Sequence, residues 1–275
     1  MRFQYWSLAH FMTLTTSTMS QTLDRSRRAT RRFYRLILLL IHALVGMLFQ
    51  FGLLLASPFV SIDRAEQAVT RWWQGRLCRV LGLQIKVVGE PAAPPVMVAA
   101  NHVSWLDIPV LGGALPVHFL SKSEVRAWPL VGWMATMAGT IYIERGAHGS
   151  KGVSGSMIER LQAGRSVVFF PEGTTTDGTS VRRFLPRLFS AAVEADAAVQ
   201  PVAIRYLHHD GPHPCAPFID NEMIGTHLIK VLGERLIEVE LTFCPPIRGA
   251  TERRRIAELS RQAISGIVDR QPVRA

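Results

Sequence analysis

Two hydrophobic patterns divide the chain near residue 84. Residues 36–56 form one mostly apolar stretch, LILLLIHALVGMLFQFGLLLA. Residues 63–83 repeat apolar side chains, including Trp72 and Trp73, at helical spacing, with arginines on the other faces. That pattern is typical of an amphipathic helix at a membrane surface, although a helix packed on a folded domain has it too. Beyond this point short apolar runs alternate with helical segments, which predicts an α/β domain.

The α/β part of the chain contains seven runs typical of strands. They lie at 85–88, 96–100, 117–120, 140–143, 166–170, 199–204 and 236–243. Helical spacing predicts helices near 105–114, 124–137, 152–163, 187–196 and 251–268. We therefore expect a sheet flanked by helices.

Positive charge is concentrated ahead of the apolar stretch. The formal net charge is +10, and the first 35 residues contain seven arginines against one acid, Asp24. Basic groups beside an apolar segment favour an anionic lipid surface. Nucleic acid is disfavoured as a partner because no aromatic residues are interleaved for base stacking. We expect residues 1–32 to be a basic, disordered tail, residues 33–83 to be membrane-associating helices, and residues 84–275 to form the catalytic domain.

The length of the apolar stretch leaves its membrane topology open between a span and a half-span. Positive charge stays on the cytoplasmic side, so a single span would put the α/β domain outside, whereas a hairpin in one leaflet keeps it inside. Cys78, Cys215 and Cys244 are scattered and odd in number. They indicate a reducing compartment, which favours the hairpin.

The sequence contains two candidate start positions, Met1 and Met19. Met19 is as plausible a natural start as Met1, and we expect the residues before Met19 to be an extension.

Polar clusters follow four of the predicted strands. NHVSWLD, SKSE, ERG and PEGTTTDG each come directly after an apolar run. In α/β sheets, ligands bind beyond the carboxyl ends of the strands. If these strands run parallel, His102, Lys122, Arg145 and Glu172 converge on one crevice.

The heptapeptide NHVSWLD offers a candidate base and its partner. His102 and Asp107 are five positions apart, so they cannot be neighbours on one face of a regular helix. With His102 in the turn after the strand and Asp107 in the first helical turn, the carboxylate reaches one ring nitrogen and leaves the other free to take a proton. The alternative is structural, a capping box formed by Ser104 and Asp107.

The later clusters suit an anionic or polyol ligand. Arg145 offers a bidentate fork and Lys122 a point charge, although either could be a solvated side chain. The segment FFPEGTTTDG supplies hydroxyls and backbone N–H groups past a buried strand, as a cradle or as an ordinary turn. Glu172 repels phosphate but accepts hydrogen bonds from hydroxyls.

Taken together, the clusters resemble four ordered blocks of the lysophospholipid acyltransferases of the 1-acylglycerol-3-phosphate acyltransferase group. The resemblance covers about residues 95–206 through NHVSWLD, GTIYIERG, FPEGTTT and VQPVAIRY, with KSEV between the first two. It implies the following roles: His102 as base, Asp107 as its partner, Arg145 and Lys122 toward the head group, Glu172, Gly173 and Thr174 toward substrate, and Pro201 on the acyl-donor side.

The resemblance also implies a fold and a reaction. The fold is a glycerolipid acyltransferase-like mixed α/β sheet flanked by helices, with an N-terminal two-helix element in one leaflet on the cytoplasmic face of a bacterial-type inner membrane. The reaction moves a fatty acyl group from acyl-CoA or acyl-carrier protein to the free hydroxyl of a lysolipid. No metal or other cofactor is implied.

One departure bears on the acceptor. Many phosphatidic-acid-forming relatives carry a basic residue and a glycine after the third block, whereas this chain has RRFLPRLF at 182–189. Lysophosphatidate is the first choice of acceptor and a lyso-ornithine lipid the second. Two other classes stay open: a non-catalytic membrane lipid-binding protein, and a metal-dependent phosphoesterase, which lacks a clear ligand set.

Overall fold

The structure, a computed structural model, describes residues 6–56, 63–127, 132, 140–143, 149–209, 211–220 and 222–269. Its helices there are α1 (Trp6–Ala56), α2 (Asp63–Leu81), α3 (Asp107–Ala114), α4 (Ser123–Arg126), α5 (Gly149–Gln162), α6 (Ser190–Glu194), α7 (Ile224–Gly233) and α8 (Arg253–Val268), with a 3₁₀ turn at Pro186–Phe189. Its strands are β1 (Leu83–Val88), β2 (Val96–Ala100), β3 (Val117–Lys122), β4 (Ile141–Ile143), β5 (Ser166–Phe169), β6 (Ala198–His208), β7 (Gly211–Pro212) and β8 (Ile237–Phe243).

The strands form one mixed sheet in the order β1-β8-β6-β2-β5-β3-β4, with β7 paired to β6. Strands β2 to β6 run parallel, and β8 is antiparallel to β6. The α/β fold expected from the sequence is confirmed. The carboxyl ends of β2 to β6 therefore share one side of the sheet, which we call the carboxyl edge, and the condition for convergence of the polar clusters holds.

Both faces of the sheet are covered, as β2 shows. Val96, Val98 and Ala100 join the core on the side of α2, α3 and α7. Met97 and Ala99 join the core on the side of α5, α6 and α8. Burial on both faces explains why this strand is a continuous apolar run without alternation.

Most predicted elements are present with shifted ends. The helix expected near 187–196 is a 3₁₀ turn followed by α6, and the strand expected at 199–204 continues to His208. Only the short helix α4 is described within the prediction at 124–137, and the larger part of that segment lies outside the described residues.

Helix α1 runs without a break through residue 32, where the sequence suggested that a tail ends and a membrane-associating helix begins. The division of the chain into tail, helices and catalytic domain stays a prediction. Arg31 donates to the carbonyl of Gly233 at 2.9 Å, and Arg35 donates to that of Glu234 at 2.6 Å. Arg32 donates to a carbonyl one turn earlier in α7. The last carbonyls of a helix have no partner within it, so these arginines cap α7. Part of the basic run that we assigned to lipid therefore binds protein.

Helices α1 and α2 form a hairpin with aromatic contacts along its seam. The rings of His42 and Trp73 stack with centroids 4.5 Å apart, and Phe49 meets Trp72 edge to face at 5.5 Å. Among the described residues, α1 is the one helix that is long and apolar enough to cross a membrane, and 6% of its most apolar window is buried. The hairpin thus presents a large apolar surface outward.

Candidate active site

The carboxyl edge holds a hydrogen-bonded histidine–aspartate pair. His102 lies in the turn after β2, and Asp107 is the first residue of α3. Nδ1 of His102 is 2.8 Å from Oδ2 of Asp107. The side chain of His102 is 20% exposed, whereas that of Asp107 is fully buried. The geometry predicted from the five-residue spacing is present.

Asp107 is surrounded by donors. Its Oδ2 also accepts the backbone N–H groups of Val103 at 2.8 Å and Ser104 at 3.0 Å. Its Oδ1 accepts the hydroxyl of Tyr206 at 2.7 Å. A carboxylate only accepts hydrogen bonds, which puts the ring proton of His102 on Nδ1. Nε2 is then the unprotonated nitrogen, and it has no partner among the described residues.

The capping box accounts for only half of this arrangement. The carboxylate of Asp107 accepts the N–H of Ser104, as the box requires, but Oγ of Ser104 is buried and has no hydrogen-bond partner among the described residues. The residue is also too buried to act as a nucleophile, being 0% exposed. The heptapeptide is therefore organised around Asp107 rather than around the serine.

An aromatic ring holds the imidazole from the other side. Phe170 stacks on His102 with ring centroids 4.0 Å apart and an interplanar angle of 12°. The carbonyl of His102 accepts the N–H of Thr176 at 2.8 Å. The loops after β2 and β5, which are neighbouring strands, thus fix both the ring and the backbone of His102.

Glu172 ties the same two loops together. Its Oε1 accepts the N–H of His102 and its Oε2 accepts the N–H of Arg182, both at 2.8 Å. Burial raises the pKa of Glu172, and the two N–H contacts oppose that rise. Both oxygens are occupied by backbone, so Glu172 braces the site. The substrate contact expected of it stays a prediction.

The turn after Glu172 presents unpaired backbone donors. Gly173 has φ +72°, a conformation that favours glycine, and its N–H bonds the carbonyl of Phe170 at 3.1 Å. Thr174 is exposed, and in the described residues the N–H groups of Thr174 and Thr175 have no partner. In the loop after β2, the N–H groups of His102, Val103 and Ser104 are all occupied. Donors for a developing oxyanion are available in the turn after Glu172 instead.

The structure describes the remaining predicted residues to different extents. Lys122 ends β3 at the carboxyl edge, level with Ile143 of β4; its side chain is outside the description. Arg145, two positions beyond β4, lies outside the described residues. Pro201 is buried within β6 opposite Ala99, inside the sheet rather than at its rim.

Four side chains that sequence reasoning missed also hold the loop after β2. Asn101 is buried and exchanges two hydrogen bonds with the backbone of Ile204 in β6, at 2.8 and 2.9 Å. Trp105 donates to Nδ1 of His227 in α7 at 2.9 Å, and Nε2 of His227 donates to the carbonyl of Pro217 at 3.0 Å. Asn101 and Trp105 lie in the first block, so their position was a signal, whereas nothing in the sequence marked His227.

Tyr206 is the fourth of these side chains. It ends the fourth block, VQPVAIRY, in which only Pro201 had been assigned a role. Burial first, and the charge of Asp107 second, raise the pKa of Tyr206 well above its ordinary value. The phenol therefore remains a donor.

Known proteins that are similar to this chain identify its family. Residues 84–205 match the family named Acyltransferase. A lyso-ornithine lipid O-acyltransferase of Pseudomonas aeruginosa is 46% identical over 208 residues, which are 75% of this chain and 79% of that protein. The chain belongs to the acyltransferase family. This acyltransferase is also 34% identical to a 1-acyl-sn-glycerol-3-phosphate acyltransferase of Neisseria gonorrhoeae over 183 residues, 65% of this chain and 71% of that one.

The fold of the acyltransferase is shared with a solved structure. The crystal structure of the 1-acyl-sn-glycerophosphate acyltransferase PlsC from Thermotoga maritima superposes with a TM-score of 0.68 at 21% identity, covering 90% of this chain and 96% of that chain. The protein is an O-acyltransferase of the PlsC type with a lysolipid acceptor. The non-catalytic reading is set aside, and the phosphoesterase reading is disfavoured because the oxygens of Asp107 and Glu172 already accept N–H and O–H donors.

Proposed function

We propose that this acyltransferase moves a fatty acyl group from acyl-CoA or acyl-carrier protein to the free hydroxyl of a lyso-ornithine lipid, at the cytoplasmic face of the inner membrane. The observation that carries the acceptor is the 46% identity to a lyso-ornithine lipid O-acyltransferase over 79% of that protein. The sequence blocks alone favoured lysophosphatidate, and we now rank it second. Phosphatidic acid formation is therefore the alternative function.

In the proposed mechanism His102 is the general base. Its Nε2 takes the proton of the acceptor hydroxyl, while Asp107 keeps the ring oriented and stabilises the imidazolium. The alkoxide oxygen attacks the thioester carbonyl, and the N–H groups of Thr174 and Thr175 stabilise the oxyanion. Collapse breaks the carbon–sulfur bond, and the thiolate leaves with the proton returned by His102. No covalent enzyme intermediate is formed in this sequence of steps.

The other predicted residues receive supporting roles. We assign Arg145 and Lys122 to the anionic group of the acceptor. Lys122 is the last residue of β3 and Arg145 comes two positions after β4, and both strands end at the carboxyl edge. We assign Glu172 and Gly173 to the shape of the turn that presents Thr174. We keep Pro201 on the acyl-donor side as an expectation from the family resemblance alone.

Lysophosphatidate is kept as second candidate by one local observation. Arg182, Arg183 and Arg187 follow the third block and are exposed. A phosphate monoester carries more negative charge than the single carboxylate of ornithine, whose amine is also repelled by extra cations. Three exposed arginines near the carboxyl edge therefore suit the phosphate, whereas overall similarity favours ornithine.

Parallel assays distinguish the two acceptors. We expect purified enzyme to acylate lyso-ornithine lipid much faster than lysophosphatidate, with acyl-CoA and acyl-carrier protein tested as donors in turn. Faster acylation of lysophosphatidate would reverse our ranking.

The mechanism has its own test, which is independent of the acceptor. His102→Ala should lower kcat by about 10²- to 10⁴-fold with either lipid, the usual contribution of a general base. His208→Ala, at the end of β6, is the matched control and should keep its activity. Near-normal turnover by His102→Ala would overturn the mechanism.

We also propose that the hairpin lies in one leaflet. Its exposed apolar side chains include Leu40, Leu44 and Leu48 on α1. Salt screens charge contacts but not apolar burial, so the protein should stay with membranes after a high-salt wash. Changing Leu44 and Leu48 to Glu should release it. Removal of the whole hairpin is a poorer test, because Cys78 and Leu81 of α2 belong to the core of the α/β domain.

A further inference from the structure

Tyr206 reaches the active site from a strand that does not carry the histidine–aspartate pair. It lies in β6, 99 positions after Asp107, and is 3% exposed. Its hydroxyl donates to Oδ1 of Asp107 at 2.7 Å. In the described part of the chain, that hydroxyl is the only donor on Oδ1, whereas Oδ2 has the three other contacts.

This distribution gives the phenol a distinct effect. The contacts on Oδ2 restrain rotation of the carboxylate about its Cβ–Cγ bond from one side. The contact on Oδ1 restrains the same rotation from the opposite side and helps to keep Oδ2 facing Nδ1 of His102. It also draws negative charge toward Oδ1, away from the oxygen that faces the ring.

We propose that Tyr206 is a positioning residue for acyl transfer, one that sets the orientation of Asp107 and the strength with which it stabilises the imidazolium of His102. The inference rests on the proposed roles of His102 and Asp107. It gives the end of the fourth block a function in the chemistry, separate from binding of the acyl donor.

Tyr206→Phe tests the proposal by removing one hydroxyl. We expect kcat to fall about 10- to 150-fold, the range for a hydrogen bond to a charged group, with KM of both substrates nearly unchanged. The acid limb of the pH profile of kcat/KM should move to higher pH, because charge that is no longer shared with Oδ1 favours protonated His102. Tyr34→Phe, the same change on exposed α1, should alter neither quantity.

A double-mutant cycle separates positioning from packing. In an Asp107→Ala background, Tyr206→Phe should cost less than about 3-fold, because the carboxylate that the hydroxyl contacts is already absent. An equal loss in both backgrounds, an unmoved acid limb, or an unchanged kcat would each overturn the proposal.

A second variant keeps the packing of the ring. Replacing Tyr206 with 3,5-difluorotyrosine retains the hydroxyl and makes it a stronger donor, so the acid limb should move to lower pH, opposite to Tyr206→Phe. A shift in the same direction for both would contradict the inference. Failure of the proposed mechanism would show differently, as turnover that survives His102→Ala. The result for His102→Ala does not depend on the Tyr206 variants, so the two failures can be told apart.

Discussion

Asp107 and Glu172 are two buried carboxylates at the carboxyl edge. From the loop after β2, Asp107 accepts two backbone N–H groups and Glu172 accepts one. They differ in their remaining contacts. Asp107 reaches the ring of His102 and the hydroxyl of Tyr206, whereas both oxygens of Glu172 face backbone N–H groups.

The two carboxylates differ in whether a hydrogen-bond partner can change from donor to acceptor. A hydroxyl can turn and accept a hydrogen bond, but a backbone N–H cannot. A neutral amide at position 107 therefore finds a partner on each side, whereas an amide at position 172 leaves one donor facing another. We therefore propose that Asp107 supplies charge at the ring of His102 and that Glu172 holds the shape of the two loops.

Asp107→Asn should have the largest effect on activity. The amide oxygen can keep the contacts of Oδ2 while its NH₂ group donates to a reversed Tyr206 hydroxyl, so the fold should persist. Loss of the charge that stabilises imidazolium should lower kcat by about 10²-fold or more. Steady-state kinetics with thermal unfolding measure both quantities, and Asp196→Asn, an exposed turn residue, is the control. A variant that unfolds would contradict the distinction.

Glu172→Gln should show the opposite balance. One oxygen cannot serve both N–H groups, and the NH₂ group meets the N–H of His102 or Arg182. We expect a loss of about 1–3 kcal/mol in the free energy of unfolding, the cost of an unsatisfied buried group. Turnover should fall less than in Asp107→Asn. Glu194→Gln, at an exposed position of α6, controls for the change of charge. An unchanged denaturation midpoint for Glu172→Gln would argue against the brace.

Gly173→Ala probes the turn that Glu172 supports. A Cβ at φ +72° is strained and would lie 3.2 Å from Cδ1 of Leu185. Stability should fall by about 1–2 kcal/mol, the cost of the left-handed conformation. Gly155→Ala, in the interior of α5 with no atom within 4 Å of the new Cβ, should be neutral or stabilising. Equal effects at the two positions would remove the case for a special turn.

The smallest expected effect concerns His227, a titratable side chain that holds the loop after β2 through Trp105. Burial lowers the pKa of His227. The charge of Glu222 and the contact with the backbone of Pro217 oppose this shift, and the charge of Lys230 adds to it. The unfolded chain then binds more protons below about 6.5, so this contribution to stability is present above that pH and is lost as pH falls through the window toward the lowered pKa. Unfolding of wild type and His227→Gln across pH 5 to 8 measures the difference. Parallel pH curves would show that His227 contributes nothing.

The local part of this site was readable from sequence, because it depends on short spacings. The run VMVAA followed by NHVSWLD predicts a buried parallel strand, a turn and a helix start. That arrangement brings His102 and Asp107 within 2.8 Å. The loops that carry His102 and Glu172 lie side by side provided that β2 and β5 run parallel, and these two strands are parallel.

The contacts that brace the pair were not readable, because they join distant positions or involve the backbone. Tyr206 and His227 come from β6 and α7, and no spacing relates them to the first block. Glu172 was expected to face substrate because a sequence displays its carboxylate but not the two N–H groups that occupy it. The arginines of α1 were assigned to lipid for the same reason, since helix-end carbonyls leave no mark in a sequence.

Those arginines have a consequence for the order of events during synthesis. Arg31 and Arg32 bond carbonyls that lie 202 and 197 positions later in the chain. At about 5–20 residues per second, translation delivers α7 roughly 10–40 s after α1 emerges. During that interval the arginines of α1 cannot cap α7. We propose that anionic lipid phosphates are their partners until then, so that the helix meets a bilayer first and the completed α7 later takes over the arginines.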